Sequence, residues 1–188
     1  MRLAVKTLKK MKLDGTKMLF ASLGHTQDWV LQGFGDAGFK SLPDKVSSCC
    51  GYVILLSNRK TGVTSVLDWK SLRILGSSTA AEALAANDTL DALVYASHVL
   101  RELLGANVKD IPIELTTDCK NLHNSVHTST LVENPRLRID ISKLKESLEN
   151  KELRAFWYIA GKKMIANVLT KKGAEGVGLM SVLRHCKF

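Results

Sequence analysis

No segment of this chain approaches the ~20 consecutive apolar residues that a membrane-spanning helix requires; the longest candidate, Tyr52 to Leu56, is strand-sized. The basic N-terminal stretch, Met1 to Lys12, lacks a continuous apolar core and a small-residue cleavage site. It does not read as a signal peptide, so the expectation is an intracellular protein, cytoplasmic or nuclear, that is not secreted and has no membrane partner. Cysteine is sparse. Cys49, Cys50, Cys119 and Cys186 form neither a Cys-x-x-Cys pair nor a Cys/His zinc spacing, so buried or free thiols are expected. Internal repeats and low-complexity linkers are absent. The 188 residues, 45% hydrophobic and 24% charged, fit one globular domain, or one domain with an appendage.

Acid is the minority charge: 27 Lys and Arg against 18 Asp and Glu give a formal charge of +9. Much of the excess lies in two groups, Lys6, Lys9, Lys10, Lys12 and Lys17 near the start and Lys162, Lys163, Lys171 and Lys172 near the end. Such clustering suits a polyanionic partner, nucleic acid being the commonest; a merely basic surface is the alternative.

Against that background three acids stand out. Asp36 ends the apolar run from Trp29, Glu82 lies near the head of a long helical pattern, and Asp118 ends a second apolar run from Ile111. Taken singly, Asp36 reads as a turn residue, Glu82 as a first-turn acid favoured by the helix dipole, and Asp118 as an N-cap. Taken together, a strand, a helix start and another strand end each offering one carboxylate make a cage for hard divalent cations such as Mg²⁺, which take oxygen ligands.

Alternation and helical spacing predict strands at Gln27–Gly35, Cys49–Ser57, Val63–Ser71, Ile111–Thr117 and Glu152–Ala160. They predict helices at Ser77 or Ser78 to Leu104, closed by Gly105, and at Cys119–Thr128, Leu137–Asn150, Met164–Lys172 and Val177–Arg184, after a helix and turn within residues 1–20. Asn58–Gly62 reads as a hairpin turn. Ile139, Ile141, Leu144 and Leu148 are expected to face inward, and Trp69 and Trp157 to be core or sheet-face aromatics. The order is β-β-β-α-β-α-α-β-α.

Seven short segments occur in that order: Gly35-Asp36-Ala37, Cys50-Gly51-Tyr52-Val53, Asp68-Trp69-Lys70-Ser71, Ser77 to Glu82, Thr117-Asp118, Arg138-Ile139-Asp140-Ile141 and Ala166-Asn167-Val168-Leu169-Thr170-Lys171. Together they resemble the ribonuclease H domain of copia-class LTR retrotransposon polyproteins, over nearly the whole chain from about residue 5. Asp14-Gly15-Thr16-Lys17 resembles the link from reverse transcriptase to that domain.

The resemblance implies an α/β ribonuclease H-like fold: a mixed five-stranded sheet, three antiparallel strands then parallel βα units, flanked by helices. It implies a connecting segment at 1–24, the domain at 25–174 and a C-terminal helical tail at 175–188. It implies an endonuclease that cuts the RNA strand of RNA/DNA hybrids with two Mg²⁺ ions (Mn²⁺ substituting), beside a reverse transcriptase domain of the same polyprotein, in a retroelement particle. Asp36, Glu82 and Asp118 match catalytic, metal-holding acids. Ser78, Thr79, Lys162 and Lys163 are candidate substrate contacts, hydroxyls for the RNA backbone and lysines for phosphate. His123, His127 and His185 are expected at the surface or partly packed.

Asn167 stands where the resemblance calls for a fourth catalytic, metal-holding aspartate. An amide oxygen is a weaker ligand and accepts no proton. Engineering, decay without selection, and a natural variant of reduced activity all fit. The competing readings are a nucleic-acid-binding or scaffolding module on the same fold, with catalysis lost, and an integrase-type relative; the Asp-Glu-Asp order, with Glu on the first long helix, favours ribonuclease H.

Overall fold

The computed structural model describes residues 19–38, 48–74, 78–105, 110–129, 132–171, 173–174 and 176–188. The expected helix within residues 1–20, the Pro43 loop, Ser77, Lys172 and the Asp14–Lys17 link lie outside the described residues, as do the side chains of Ser48 and residues 71–78.

Five strands form one sheet: β1 (Trp29–Gly38), β2 (Ser48–Asn58), β3 (Thr64–Ile74), β4 (Ile113–Thr117) and β5 (Ala155–Tyr158). Their order is β3-β2-β1-β4-β5, with β1–β2 and β2–β3 antiparallel and β1–β4 and β4–β5 parallel. The helices are α1 (Ser78–Leu104), α2 (Lys120–His127), α3 (Pro135–Glu149), α4 (Asn167–Thr170) and α5 (Val177–His185).

The hairpin between β2 and β3 is set by Asn58, whose side-chain oxygen accepts from the Lys60 and Thr61 N–H groups at 2.8 and 3.0 Å, with Gly62 at φ 70° closing it. α1 ends where expected, at Gly105 in the left-handed region (φ 82°). Asn134 caps α3, accepting from the Arg136 and Leu137 N–H groups, with Pro135 at the first helical position.

The strands' alternating side chains feed two cores. Leu31, Ile54, Leu56, Leu90, Leu93, Leu115, Leu122 and Leu144 fill the space between one face of the sheet and α1–α3. Phe34, Val53, Leu55 and Val66 face the other way, onto Met164, Ile165, Ala166 and Val182. The C-terminal residues pack on this second face: Phe188 meets Phe34 edge-on at 4.9 Å, and the Thr64 N–H donates to the Cys186 carbonyl at 2.9 Å.

Several expectations are corrected. β1 runs through Asp36 rather than stopping at Gly35, after a 3₁₀ turn at Thr26–Asp28. The helix expected at Met164–Lys172 is only Asn167–Thr170, because Met164, Ile165 and Ala166 are consecutive buried residues in a non-helical approach. β5 is four residues long rather than nine. Ile139 is 71% exposed; the inward stripe of α3 is Leu137, Ile141, Leu144 and Leu148, at spacings of four, three and four, and Ile139 falls outside it. Of the two placements expected for Trp69 and Trp157, core or sheet face, the core is excluded: both lie in strands and are over half exposed.

Candidate metal centre

Parallel register puts two of the acids side by side. Phe34 of β1 pairs with Thr116 of β4, so Asp36 and Asp118, each two residues further on, reach the same level at the carboxyl ends of neighbouring strands. The third acid arrives on α1, whose approach depends on glycine. A Cβ on Gly35 would lie 2.6 Å from Thr89 Oγ1 and 3.1 Å from the Ala85 carbonyl, and one on Gly33 would lie 2.6 Å from Leu93. Without side chains at these positions, α1 lies directly on β1. Glu82, the fifth residue of α1, is therefore in the second turn, not the first as the dipole reading required.

The structure brings Asp36, Glu82 and Asp118 together with one carboxylate oxygen from each within 4.8 Å of the others. Asp36 is fully buried, Glu82 is 8% exposed and the Asp118 side chain 12%. Asp36 is held by a second close approach. Its register partner, Gly51, would place a Cβ 3.0 Å from Thr170 Cγ2 and Leu169 Cβ. α4 therefore lies on β2, where the Thr170 hydroxyl donates to Asp36 Oδ2 and Lys171 Nζ donates to Asp36 Oδ1 at 3.0 Å. Lys171 Nζ also reaches Asp118 Oδ2 at 3.7 Å.

Asn167 is in the same constellation. Its Oδ1 accepts from Lys171 Nζ, and its Nδ2 donates to the Gly161 carbonyl at 2.6 Å. Gly161 in turn abuts Asp118, whose Oδ2 would be 3.0 Å from a Cβ there.

The electrostatics are those of crowded negative charge. Burial, then the Asp36 and Asp118 charges, push the Glu82 carboxyl up to about 8; Lys171 and a hydrogen bond from the Ala37 backbone oppose this. Asp118 is also raised, by burial and by Asp36. Lys171 loses from burial, but Asp36, Asp118 and Glu82 outweigh that and hold its pKa above the ordinary lysine value. Among the described residues Glu82 Oε2 is buried with no hydrogen-bond partner. A buried acceptor left bare beside two further carboxylates is what a bound cation would satisfy, so the donor set fits a hard divalent ion. Glu114 is the contrast: it is a buried acid in β4 too, but Arg59 and Arg154 pair with it.

The sequence offers Thr170 only as part of the Ala166–Lys171 segment and Lys171 only as one of a basic group; the signal for their place beside Asp36 is that segment itself. Of the candidate substrate contacts, Thr79 is half-buried near the start of α1 and Ser78 opens that helix. Lys162 and Lys163 are exposed on the 3₁₀ turn that begins at Gly161. The rings of His123 and His127 meet at a tilt of 55° with centroids 4.5 Å apart, beside Phe156, and His127 Nε2 lies 3.2 Å from the Phe156 carbonyl.

Solved structures share this architecture. The N-terminal RNase H domain of rv2228c from Mycobacterium tuberculosis, solved as a fusion with maltose-binding protein, superposes with a TM-score of 0.50 at 18% identity, over 74% of this chain and 89% of that one. LC11-RNase H1, solved in complex with an RNA/DNA hybrid, gives 0.50 at 16% identity, over 76% and 93%. The fold is ribonuclease H-like. The protease–reverse transcriptase of prototype foamy virus is a further match, at a TM-score of 0.42 and 17% identity, over 89% of this chain and 22% of that one. No family model and no curated protein matches the chain. Among the described residues of this ribonuclease H-like chain, no helix is long and apolar enough to cross a membrane.

Proposed function

We propose that this chain is a metal-dependent endonuclease that hydrolyses the RNA strand of RNA/DNA hybrids, using Asp36, Glu82 and Asp118, with Asn167 as a weak fourth ligand. The observation that carries it is the convergence of those three acids, one of them with a bare buried oxygen, on a ribonuclease H-like frame. Bound Mg²⁺, or Mn²⁺, would supply the acidity that activates water and the positive charge that stabilises the departing 3′-oxygen. The chain's own part is to hold carboxylates in place and to admit a polyanion. β1 and β4 fix Asp36 and Asp118 on rigid strand ends, and Thr170 orients Asp36. Lys162 and Lys163, exposed beside the cluster, would take substrate phosphate, and Ser78 and Thr79 the RNA backbone. The contacts expected with a hybrid's shallow groove carry little base information, so low sequence specificity follows.

The setting we propose is reverse transcription of a copia-class LTR retrotransposon, beside a reverse transcriptase in one polyprotein and inside the cell. The seven ordered segments and Asp14–Lys17 support it. We infer the domain bounds 1–24, 25–174 and 175–188 on the same ground. Asn167 removes one negative charge and binds Lys171 instead, which favours reduced turnover and keeps a second reading open: a hybrid-binding module whose catalysis is lost.

Cleavage of a labelled RNA/DNA hybrid tests the proposal. Chelator and Asp118→Asn should each abolish it; cleavage that survives both would refute it.

A further inference from the structure

The ammonium of Lys171 sits inside the acid cluster rather than beside it. Nζ donates to Asp36 Oδ1 at 3.0 Å and to Asn167 Oδ1, and lies 3.7 Å from Asp118 Oδ2. Those are three oxygens from three separate segments of the chain, converging on one positive atom as they would on a bound cation. Glu82 Oε2, in the same cluster, is left with no partner among the described residues. The cluster is thus divided. One side is filled by a cation from the chain itself, and the other presents a bare carboxylate oxygen that is more than nine-tenths buried.

We propose that Lys171 occupies one of two cation positions, so that the chain holds a single divalent ion on the Glu82 side and takes a second only when Lys171 withdraws. This deepens the metal-dependent reading above and rests on it.

Charge balance agrees. Once a bound ion displaces the Glu82 proton, three carboxylates and one ammonium leave two negative charges, which that one divalent ion neutralises. A second ion would meet an already neutral site and an ammonium in its place. Asn167 strengthens the block. Its oxygen accepts from Lys171 and its nitrogen donates to the Gly161 carbonyl, so the Asn167 amide is already engaged at both ends. Withdrawal is open to Lys171: it follows the last residue of α4, and its side chain is 42% exposed, so the flexible stem can swing the ammonium into solvent.

The test counts ions. Mn²⁺ is titrated into the full chain at neutral pH, and free Mn²⁺ is read by electron paramagnetic resonance. This is done for the unmodified protein, Lys171→Met, Lys171→Gln, Asp118→Asn as the baseline, and Lys143→Met, at a lysine on α3 that pairs with Asp91 and controls for net charge. The unmodified protein and Lys143→Met should bind one ion. Lys171→Met should bind two, the first at least about tenfold tighter; Lys171→Gln serves the same purpose if the methionine variant does not fold. Unchanged number and affinity in the Lys171 variants would overturn the inference while leaving the metal site standing. No binding above that of Asp118→Asn in any variant would overturn both.

Discussion

Gly35 and Thr89 are in contact where a methyl group would not fit: a Cβ on the glycine would lie 2.6 Å from the threonine Oγ1. This contact sets the depth at which α1 rests on β1, and hence the distance from Glu82 to Asp36. Thr89 is fully buried and its hydroxyl is already committed to the Ala85 carbonyl at 2.6 Å, so it has little freedom to move. Gly35→Ala is expected to cost about 1–3 kcal/mol by overpacking. It should also weaken divalent-ion binding, since α1 must lift. Thr89→Ala should recover part of both losses, but not all, because the Ala85 carbonyl remains 3.1 Å away. Urea denaturation and Mn²⁺ titration of the two single variants and the double variant check this.

The Glu82 carboxyl, pushed up to about 8 from the ordinary 4.5, ties the stability of the metal-free protein to pH. The folded state holds the Glu82 proton over a range where the unfolded chain has released it. Glu82 therefore contributes most below about pH 4.5, and its contribution is lost as pH rises through about 8. In chelator, the Tm component belonging to Glu82 should fall across that window. Glu82→Gln, which cannot ionise, should be flatter with pH over the same window. Equal slopes for the two proteins would contradict the assignment.

Thr170 gives a buried carboxylate its hydroxyl hydrogen bond. Thr170→Val keeps the shape and removes the donor, and is expected to cost about 1–3 kcal/mol because Asp36 is left under-satisfied without access to water. Calorimetric Tm and urea midpoints measure it. The same variant should weaken metal binding, since Asp36 loses the group that orients it.

Much of the frame was legible because it is written locally. The period of α1, its Gly105 stop and the Asn58–Gly62 hairpin are short-range signals, and the five-stranded mixed sheet follows from the order of elements. Elsewhere tertiary packing overrides the local pattern. Met164, Ile165 and Ala166 have helix-compatible side chains, yet all three are buried in succession, which no single helix face allows. Ile139 is apolar but lies off the α3 stripe. The acids could be singled out because each follows an apolar run or starts a helix. Their partners could not: Thr170 and Lys171 meet Asp36 across 134 and 135 residues of chain, through a contact made possible by Gly51. Only a structure joins such distant positions.

Asn167 is the residue on which catalytic rate turns in this account. Asn167→Asp should leave three negative charges in the cluster instead of two, restoring attraction for a second divalent ion and giving a carboxylate in place of an amide. The most direct measurement is cleavage of a labelled RNA/DNA hybrid in saturating Mg²⁺, and separately Mn²⁺, comparing this chain with Asn167→Asp and Asp118→Asn. The account predicts slow, chelator-sensitive cutting by the chain, faster cutting by Asn167→Asp and none by Asp118→Asn. If the first two bind the hybrid yet neither cuts it, the catalytic reading is wrong and the protein is a hybrid-binding module.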